Sequence, residues 1–262
     1  MTNLRSKKLY SYALSKLISL FFRHYSARFF SINLQPKTEK IMNKVDTVVF
    51  DLDGTLLDTL DDLVESVNYA LEKHGLPLRT KQEVRSFLGN GIRFLMEKAV
   101  GERIASDEGR FLPVFQSFRA HYVDHCLDAT RPYEGIVEML RALKKGKFKL
   151  AIVSNKLQPA VTELNERFFR DVISVAIGES ADVRRKPFPD SVLKAMGELR
   201  STCEQTVYVG DSEVDIETAK AVGIPCLSVL WGFRDEYFLR GKYPDAHFVW
   251  NVQDLERMVG LL

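Results

Sequence analysis

The sequence predicts an α/β fold, in which a Rossmann-like parallel sheet forms the core and an α-helical cap domain is inserted. Three observations lead to this prediction. Short runs rich in β-branched residues recur along the chain, helical patterns alternate with them, and residues 59–131 are helical throughout. Apolar runs of this length suit strands that are buried on both faces. Their alternation with helices is typical of a parallel sheet covered by helices on both sides.

Five segments have the composition of such strands: residues 45–50, 149–155, 172–178, 206–211 and 226–230. Four helical patterns lie between or beside them: residues 136–146, 161–168, 190–199 and 212–223. Gly146 and Gly223 are placed to end the first and the last of these helices, and Ser212 is placed to cap the last one.

The cap has its own helical signals. Leu60, Leu63, Val64, Val67 and Leu71 define one amphipathic face. Thr80 and Glu83 have the spacing of a capping box. A longer helix carries the apolar positions Phe111, Leu112, Phe115, Phe118 and Tyr122. We therefore assign residues 59–131 to the cap, and residues 43–58 and 132–262 to the core.

A chain of 262 residues with 45% hydrophobic residues is long enough for one ordinary domain and a smaller insertion. The three cysteines are odd in number and show no CxxC spacing, which argues against a disulfide framework or a structural zinc site. A reducing compartment fits this pattern, so we expect a cytoplasmic protein.

Residues 1–42 form a basic extension that we leave out of the fold prediction. Residues 1–40 hold eight Lys and Arg residues against one Glu, so their charge is +7 and the remainder of the chain is mildly acidic. A basic, Ser-rich, acid-poor segment is typical of an organellar transit peptide. The interpretation that we prefer is that Met42 is the natural start and that the preceding segment is an upstream in-frame translation. The apolar part of the segment is too short and too interrupted for a membrane span, and the acidic body gives no reason to expect nucleic-acid binding.

Polar side chains follow three of the predicted strands at the point where each strand ends. They lie in residues 51–55, 154–156 and 210–212, with Asp215 just beyond. In an open α/β sheet, ligands bind beyond the carboxyl ends of the strands. We therefore expect hydroxyl, amide and carboxylate groups from three strands to meet at one edge of the sheet.

The carboxylates at this edge need a positive partner. Asp51 and Asp53 lean to the same side of an extended chain, within about 7 Å of each other. Two carboxylates at roughly 4 Å repel by about 4 kcal/mol at an effective dielectric constant of about 20, and Asp211 adds to this repulsion. Mg²⁺ binds carboxylate oxygens and phosphate oxygens together, so the sequence predicts a magnesium site that also binds a phosphate group.

The predicted chemistry is phosphoryl transfer through an aspartyl-phosphate. Asp51 would attack phosphorus, and Asp53 would protonate the leaving oxygen and then help to deprotonate water. The predicted phosphate-binding residues are Gly54, Thr55, Ser154, Asn155 and Lys186. Gly54 would allow a tight turn with amides facing the phosphate, and Lys186 would stabilise the transition state.

Other chemistries are less well supported. The segment 89–94, GNGIRF, lacks the third glycine of a dinucleotide-binding motif and lies between helices. His121 and His125 have helical spacing, but Tyr122 stands where a zinc protease motif needs Glu. The chain has no P-loop motif, so an NTP-driven kinase is not supported. A catalytically silent phosphate-binding protein would be expected to lack at least one of Asp51, Asp53, Lys186 and Asp211, yet all four are present.

These motifs resemble the haloacid dehalogenase-like hydrolases. DLDGTLLDT (51–59), Ser154, Lys186 and GDSEVD (210–215) match the four motifs of that family, and the match spans about residues 44–262. The resemblance implies that Asp51 is the nucleophile and Asp53 the acid and base.

The resemblance also implies the metal ligands. These are Asp51, Asp211 and Asp53, the last through its main-chain carbonyl, and Asp215 supports them. A helical insertion directly after the first motif is similar to the subgroup whose cap closes over the site.

Within the family, looser motifs resemble the phosphoglycolate phosphatases: residues 87–95, 132–135, 154–156, 186–190 and 230–233. This makes 2-phosphoglycolate the leading substrate, with a pyrophosphatase, a nucleotidase and a sugar-phosphate phosphatase or mutase as alternatives. Asn90 and Arg93 are candidate substrate contacts, with Arg93 meeting a substrate carboxylate. The alternative is that this segment is only a flexible turn between helices.

Overall fold

A computed structural model of the chain describes residues 45–261. The predictions made for residues 1–42 fall outside this range. No helix within it is long and apolar enough to cross a membrane.

The described residues form eight strands, listed in chain order: β1 (Thr47–Phe50), β2 (Leu57–Asp58), β3 (Arg131–Pro132), β4 (Lys149–Leu157), β5 (Val175–Glu179), β6 (Thr206–Gly210), β7 (Cys226–Val229) and β8 (His247–Val249). They also form eleven α-helices: α1 (Leu60–Lys73), α2 (Lys81–Phe87), α3 (Gly91–Val100), α4 (Glu102–Ala105), α5 (Glu108–His125), α6 (Ile136–Lys145), α7 (Gln158–Phe168), α8 (Asp190–Leu199), α9 (Glu213–Val222), α10 (Glu236–Lys242) and α11 (Val252–Gly260).

Six strands form one parallel sheet in the order β5-β4-β1-β6-β7-β8. The predicted parallel sheet is therefore confirmed. All five predicted strand segments overlap with it. The edge strand β8 and the helices α10 and α11 were not predicted. A three-residue strand and a seven-residue helix carry little periodic signal, but Val252, Leu255 and Val259 of α11 have helical spacing and were a usable signal.

The central strand β1 shows why apolar runs predict this sheet. All four of its residues are fully buried. Val48 and Phe50 pack into one apolar cluster, whereas Val49 packs into another on the opposite face. Alternate side chains of a strand point to opposite faces, so a sheet covered by helices on both sides needs apolar residues at every position.

The cap consists of α1 to α5, which lie in the chain between β2 and β3. These two short strands pair antiparallel, with Leu57 opposite Pro132 and Asp58 opposite Arg131. The chain therefore leaves for the cap and returns from it along one two-stranded ribbon. The boundaries predicted at 58/59 and 131/132 fall at this ribbon.

The cap has an apolar core of its own, built around fully buried residues such as Phe111 and Phe118. Phe233, from the loop after β7, packs into the same cluster and so joins the cap to the core. The capping box of α2 is present as predicted: the backbone N–H of Glu83 donates to Thr80 Oγ1 at 3.2 Å, and Thr80 N donates to Glu83 Oε2 at 2.8 Å.

Candidate active site

The ends of three adjacent strands surround one small cavity beneath the cap. β4, β1 and β6 are neighbours in the sheet, so their carboxyl ends bring Asp51, Asp53, Ser154 and Asp211 together. The cavity has a volume of about 60 Å³. Its cap side is apolar and is formed by Leu63, Leu88, Ile92 and Leu95. The meeting of polar groups predicted from the sequence is thus present in the structure.

Gly54 allows the chain after β1 to turn against Asp211. Its φ of +86° lies in the left-handed region, which favours glycine. A Cβ atom at this position would lie 2.5 Å from Asp211 Oδ2. Only a residue without a side chain allows this close approach of the backbone to the carboxylate.

Lys186 bridges two of the acids. Its Nζ donates to Asp51 Oδ1 and to Asp215 Oδ1, each at 2.7 Å, and to the Tyr208 hydroxyl at 3.1 Å. All four side chains are buried. Burial raises the pKa of Asp51 well above its usual range, and the Lys186 ammonium acts in the opposite direction. The ion pair therefore favours the charged form of Asp51.

Asp215 is held by hydrogen bonds on both of its oxygens. Oδ1 accepts from Lys186 and from the Tyr208 hydroxyl at 2.9 Å, and Oδ2 accepts from Ser212 N at 3.0 Å and Ser212 Oγ at 2.6 Å. The contacts with Ser212 form the capping box of α9. A carboxylate with four donors is well suited to supporting Lys186 and poorly suited to binding a cation directly.

The site has a donor set that fits a hard cation. Carboxylate oxygens of Asp51, Asp211 and Asp215 lie within 4.8 Å of one another. Burial, followed by repulsion from Asp215, raises the pKa of Asp211 to about 7. A bound Mg²⁺ would remove this repulsion, and oxygen donors are the ligands it prefers. The Asp53 side chain lies outside this cluster and pairs with Lys156 at 2.9 Å, so only its main-chain carbonyl remains as the predicted ligand.

The predicted phosphate-binding residues have different surroundings. Ser154 lines the cavity, and its Oγ accepts from Lys156 N at 3.1 Å, which leaves the hydroxyl proton free to donate. Asn155 also lines the cavity, but its Nδ2 donates to Gly89 O at 3.0 Å and Lys186 O at 3.1 Å. Thr55 is fully buried, and its hydroxyl has no hydrogen-bond partner among residues 45–261.

At Asn155 the structure differs from the prediction. Both N–H donors of its amide are used, and its Oδ1 accepts from Lys186 N at 2.6 Å. In the described state the side chain therefore fixes the backbone of Lys186 and does not present a donor to the cavity.

The structure does not bring Arg93 to the cavity either. Its Nε donates to Glu97 at 2.9 Å and its Nη2 donates to Glu108 at 2.8 Å, on the outside of the cap. The side chain is 43% exposed. The structure therefore places the Arg93 side chain away from the cavity, where two glutamates neutralise its charge, and the contact with a substrate carboxylate stays a prediction. Asn90 contacts the core through its main-chain carbonyl, which accepts a hydrogen bond from Arg185 Nη1 at 3.3 Å.

Two residues with contacts at the site were missed from the sequence. Lys156 lines the cavity, but in the sequence it looks like an ordinary residue of strand β4. Tyr122 likewise looks like one of the apolar positions of helix α5. A usable signal was present in each case. Lys156 directly follows Ser154 and Asn155, and Tyr122 is the one member of the aromatic series on α5 that carries a hydroxyl group.

Two arginines join the cap to the core at the rim of the site. Arg85, on the cap helix α2, donates to the carbonyls of Gly232 at 2.8 Å and Phe233 at 2.9 Å. Arg234, from the core, donates to Leu88 O at 2.5 Å and pairs with Glu213 at 2.6 Å. These contacts hold the cap over the cavity.

Comparison with known proteins agrees with this geometry. The chain is 33% identical over 219 residues to a phosphoglycolate phosphatase of Mesorhizobium japonicum, which covers 81% of this chain and 96% of the relative. It is 31% identical over 191 residues to an N-acetylmuramic acid 6-phosphate phosphatase of Pseudomonas aeruginosa, which covers 72% of this chain and 84% of the relative.

A solved structure shows the same fold. The crystal structure of a candidate phosphoglycolate phosphatase from Lactobacillus delbrueckii superposes with a TM-score of 0.76 at 32% identity, and covers 82% of this chain and 98% of that protein. Residues 48–229 match the family model described as haloacid dehalogenase-like hydrolase. The chain therefore belongs to the haloacid dehalogenase-like hydrolases, as its motifs predicted.

Proposed function

We propose that this hydrolase is a Mg²⁺-dependent phosphatase that acts on a small phosphorylated metabolite through an aspartyl-phosphate on Asp51. The observation that carries the proposal is the convergence of Asp51, Asp53, Ser154 and Lys186 on one cavity beneath the cap. Asp51 and Asp53 are held by different lysines, Asp51 by Lys186 and Asp53 by Lys156. Two acids in separate environments suit two separate roles.

Asp51 is the proposed nucleophile. It lines the cavity and lies 2.7 Å from an ammonium that favours its ionised form. Its attack on phosphorus forms the aspartyl-phosphate while the bond from phosphorus to the leaving oxygen breaks. A buried, paired carboxylate needs little reorganisation to reach this geometry.

Asp53 is the proposed acid and base. As an acid it gives a proton to the leaving oxygen, and as a base it then takes a proton from the water that hydrolyses the aspartyl-phosphate. Its side chain is 21% exposed at the cavity, whereas that of Asp51 is 10% exposed. The more accessible of the two acids is the one that must meet the leaving group and water.

Asp51, Asp211 and the main-chain carbonyl of Asp53 would hold Mg²⁺, which supplies positive charge to the carboxylates and to the phosphate when bound. The Ser154 hydroxyl donates to a phosphate oxygen, and Lys186 adds positive charge next to Asp51. Charge that is fixed in place before the reaction stabilises the transition state efficiently.

The cavity favours a small substrate. Its volume of about 60 Å³ corresponds to a few water molecules, and apolar side chains of the cap border it. We therefore keep 2-phosphoglycolate as the leading substrate over the nucleotides and the sugar phosphates. The relatives named phosphoglycolate phosphatase support this choice.

A phosphate-release screen tests the proposal. The full chain is assayed with 2-phosphoglycolate, pyrophosphate, nucleoside monophosphates, hexose phosphates and p-nitrophenyl phosphate, with Mg²⁺ and with EDTA. We expect Mg²⁺-dependent release that is fastest from 2-phosphoglycolate and that is lost in Asp51→Asn. Asp171→Asn, a change at a residue whose side chain is 86% exposed, serves as the matched control. Activity that survives Asp51→Asn, or that persists in EDTA, would contradict the mechanism.

For the location of the protein we propose the cytoplasm, because Cys126, Cys203 and Cys226 are all free thiols. Such thiols persist in a reducing compartment. The proposed partner is the small phosphorylated substrate alone, without nucleic acid or membrane.

A further inference from the structure

A buried lysine joins the acid and base of the site to the cap. Lys156 Nζ donates to Asp53 Oδ1 at 2.9 Å and to the hydroxyl of Tyr122 at 2.6 Å. The Lys156 side chain is 5% exposed, and Tyr122 is also buried. Neither residue belongs to the four family motifs described above.

The three residues come from three separate parts of the fold. Asp53 follows β1, Lys156 lies near the end of β4, and Tyr122 lies on α5 of the cap. The pairing of β4 with β5 changes register between Val153 and Leu157. Such an irregularity redirects side chains at the end of a strand, and here Lys156 lines the cavity. A single ammonium thus contacts both domains.

The side chains of Asp53 and Tyr122 stabilise the buried ammonium of Lys156. Burial acts to lower the pKa of Lys156, but Asp53 and Tyr122 more than offset it, so that the pKa is raised and the ammonium stays charged. Burial raises the pKa of Tyr122 to about 12, so its hydroxyl is neutral at physiological pH. A buried ammonium is costly unless its donors have partners, and one of its two partners is supplied by the cap.

We propose that Lys156 and Tyr122 are positioning residues that fix the carboxyl group of Asp53 for proton transfer to the leaving oxygen. This inference rests on the proposed phosphatase function. In the proposed step, the bond from phosphorus to the leaving oxygen breaks, the phosphoryl group joins an oxygen of Asp51, and the leaving oxygen takes the proton of the Asp53 carboxyl. Because Tyr122 belongs to the cap, Asp53 is fully positioned only while the cap is closed.

This role predicts a dependence on the leaving group. The alkoxide released from 2-phosphoglycolate is a strong base and needs the proton of Asp53 as it departs. The p-nitrophenolate ion is a weak base and can leave without it. General acid catalysis contributes about 10²–10⁴-fold to such reactions, so poor positioning of Asp53 slows the first substrate much more than the second.

The experiment compares kcat/KM for 2-phosphoglycolate and for p-nitrophenyl phosphate in Tyr122→Phe and Lys156→Met, because kcat/KM excludes the later water step that both substrates share. We expect Tyr122→Phe to reduce kcat/KM about 10-fold for 2-phosphoglycolate and about 2-fold or less for p-nitrophenyl phosphate. Lys156→Met is expected to reduce kcat/KM by a larger factor, and again more for 2-phosphoglycolate than for p-nitrophenyl phosphate. Tyr69→Phe on the cap and Lys149→Met on β4 make the same chemical changes away from the cavity, and both are expected to leave the ratio of the two rates unchanged.

The outcomes separate this inference from the proposed function. If the wild-type chain hydrolyses neither substrate, the phosphatase proposal fails. If the wild type hydrolyses both and Tyr122→Phe reduces kcat/KM for the two substrates by equal factors, or leaves it unchanged for both, the positioning role is wrong. If Lys156→Met fails to fold, Tyr122→Phe still tests the positioning role, because it removes one hydroxyl group and keeps the aromatic ring in the cap core.

Discussion

Lys186 Nζ lies 2.7 Å from Asp51 Oδ1, and both side chains are buried beneath the cap. The two residues are 135 positions apart in the chain, and Lys186 lies in the loop between β5 and α8, so the tertiary fold brings them together. The same ammonium also holds Asp215. One side chain therefore neutralises two acids that would otherwise repel each other in a region of low dielectric constant.

Replacing Lys186 with Met should remove both activity and stability. It leaves Asp51 and Asp215 buried without a counter-charge, and breaking a buried ion pair costs about 3–5 kcal/mol of the free energy of unfolding. Urea unfolding and the phosphate-release assay measure the two effects. Lys194→Met, on the exposed face of α8, is the matched control and should change neither. A Lys186→Met variant as stable as the wild type would contradict the ion-pair network.

Replacing Gly54 with Ala should disturb the carboxylates of the site. The added Cβ would lie 2.5 Å from Asp211 Oδ2, and the φ of +86° is unfavourable for alanine. Gly75→Ala makes the same change at a φ of +66°, where nothing lies within 4 Å of the new atom. We expect Gly75→Ala to cost about 1 kcal/mol from backbone strain alone, and Gly54→Ala to cost more and to reduce kcat. Equal stability losses with unchanged activity would show that the contact with Asp211 is not important.

The metal-free protein should lose stability as the pH rises through the acid range. The pKa of Asp211 is raised by burial and by Asp215 to about 7, from an ordinary value of 3.8. Between these values the folded state keeps a proton that the unfolded chain releases, so the free energy of unfolding falls as the pH rises from about 4 to about 7. Urea unfolding in EDTA measures this slope. Asp211→Asn should flatten it, and an unchanged slope in that variant would contradict the assignment.

Replacing Arg85 with Ala should loosen the cap. The variant loses two hydrogen bonds to the carbonyls of Gly232 and Phe233, each worth about 0.5–1.5 kcal/mol. We expect faster hydrogen exchange of the backbone amides in α2 and a higher KM, with the core sheet unaffected. Arg103→Ala, on the exposed side of the same cap, is the control. Unchanged exchange in α2 would show that Arg85 does not hold the cap closed.

The sequence was sufficient to predict that Asp51, Ser154 and Asp211 lie near one another. Asp51 and Asp211 directly follow strands of a parallel sheet, Ser154 lies in the last part of β4, and parallel strands end at one edge. Spacing along the chain therefore indicates proximity in space for these residues. The capping box of Thr80 and Glu83 was predictable for a similar reason, because its contacts are local.

Contacts between the domains could not be predicted in this way. The orientation of Lys156 depends on a change of strand register, and that of Tyr122 depends on how the cap packs against the core. Arg93 was chosen for its charge. Its partner Glu97 lies four residues further along the same helix α3, whereas Glu108 begins α5, and the sequence pattern does not specify how α5 packs against α3. Side chains whose partners come from another domain depend on the packing of the two domains.

The most direct test of the aspartyl-phosphate on Asp51 is the stereochemical course of hydrolysis at phosphorus. The wild-type chain is given a thiophosphate ester made chiral at phosphorus with oxygen isotopes, in isotopically labelled water, and the configuration of the released thiophosphate is determined. Two successive displacements, first by Asp51 and then by water, each invert phosphorus, so overall retention is expected. Overall inversion would mean that water attacks the substrate directly, and it would contradict a covalent intermediate on Asp51.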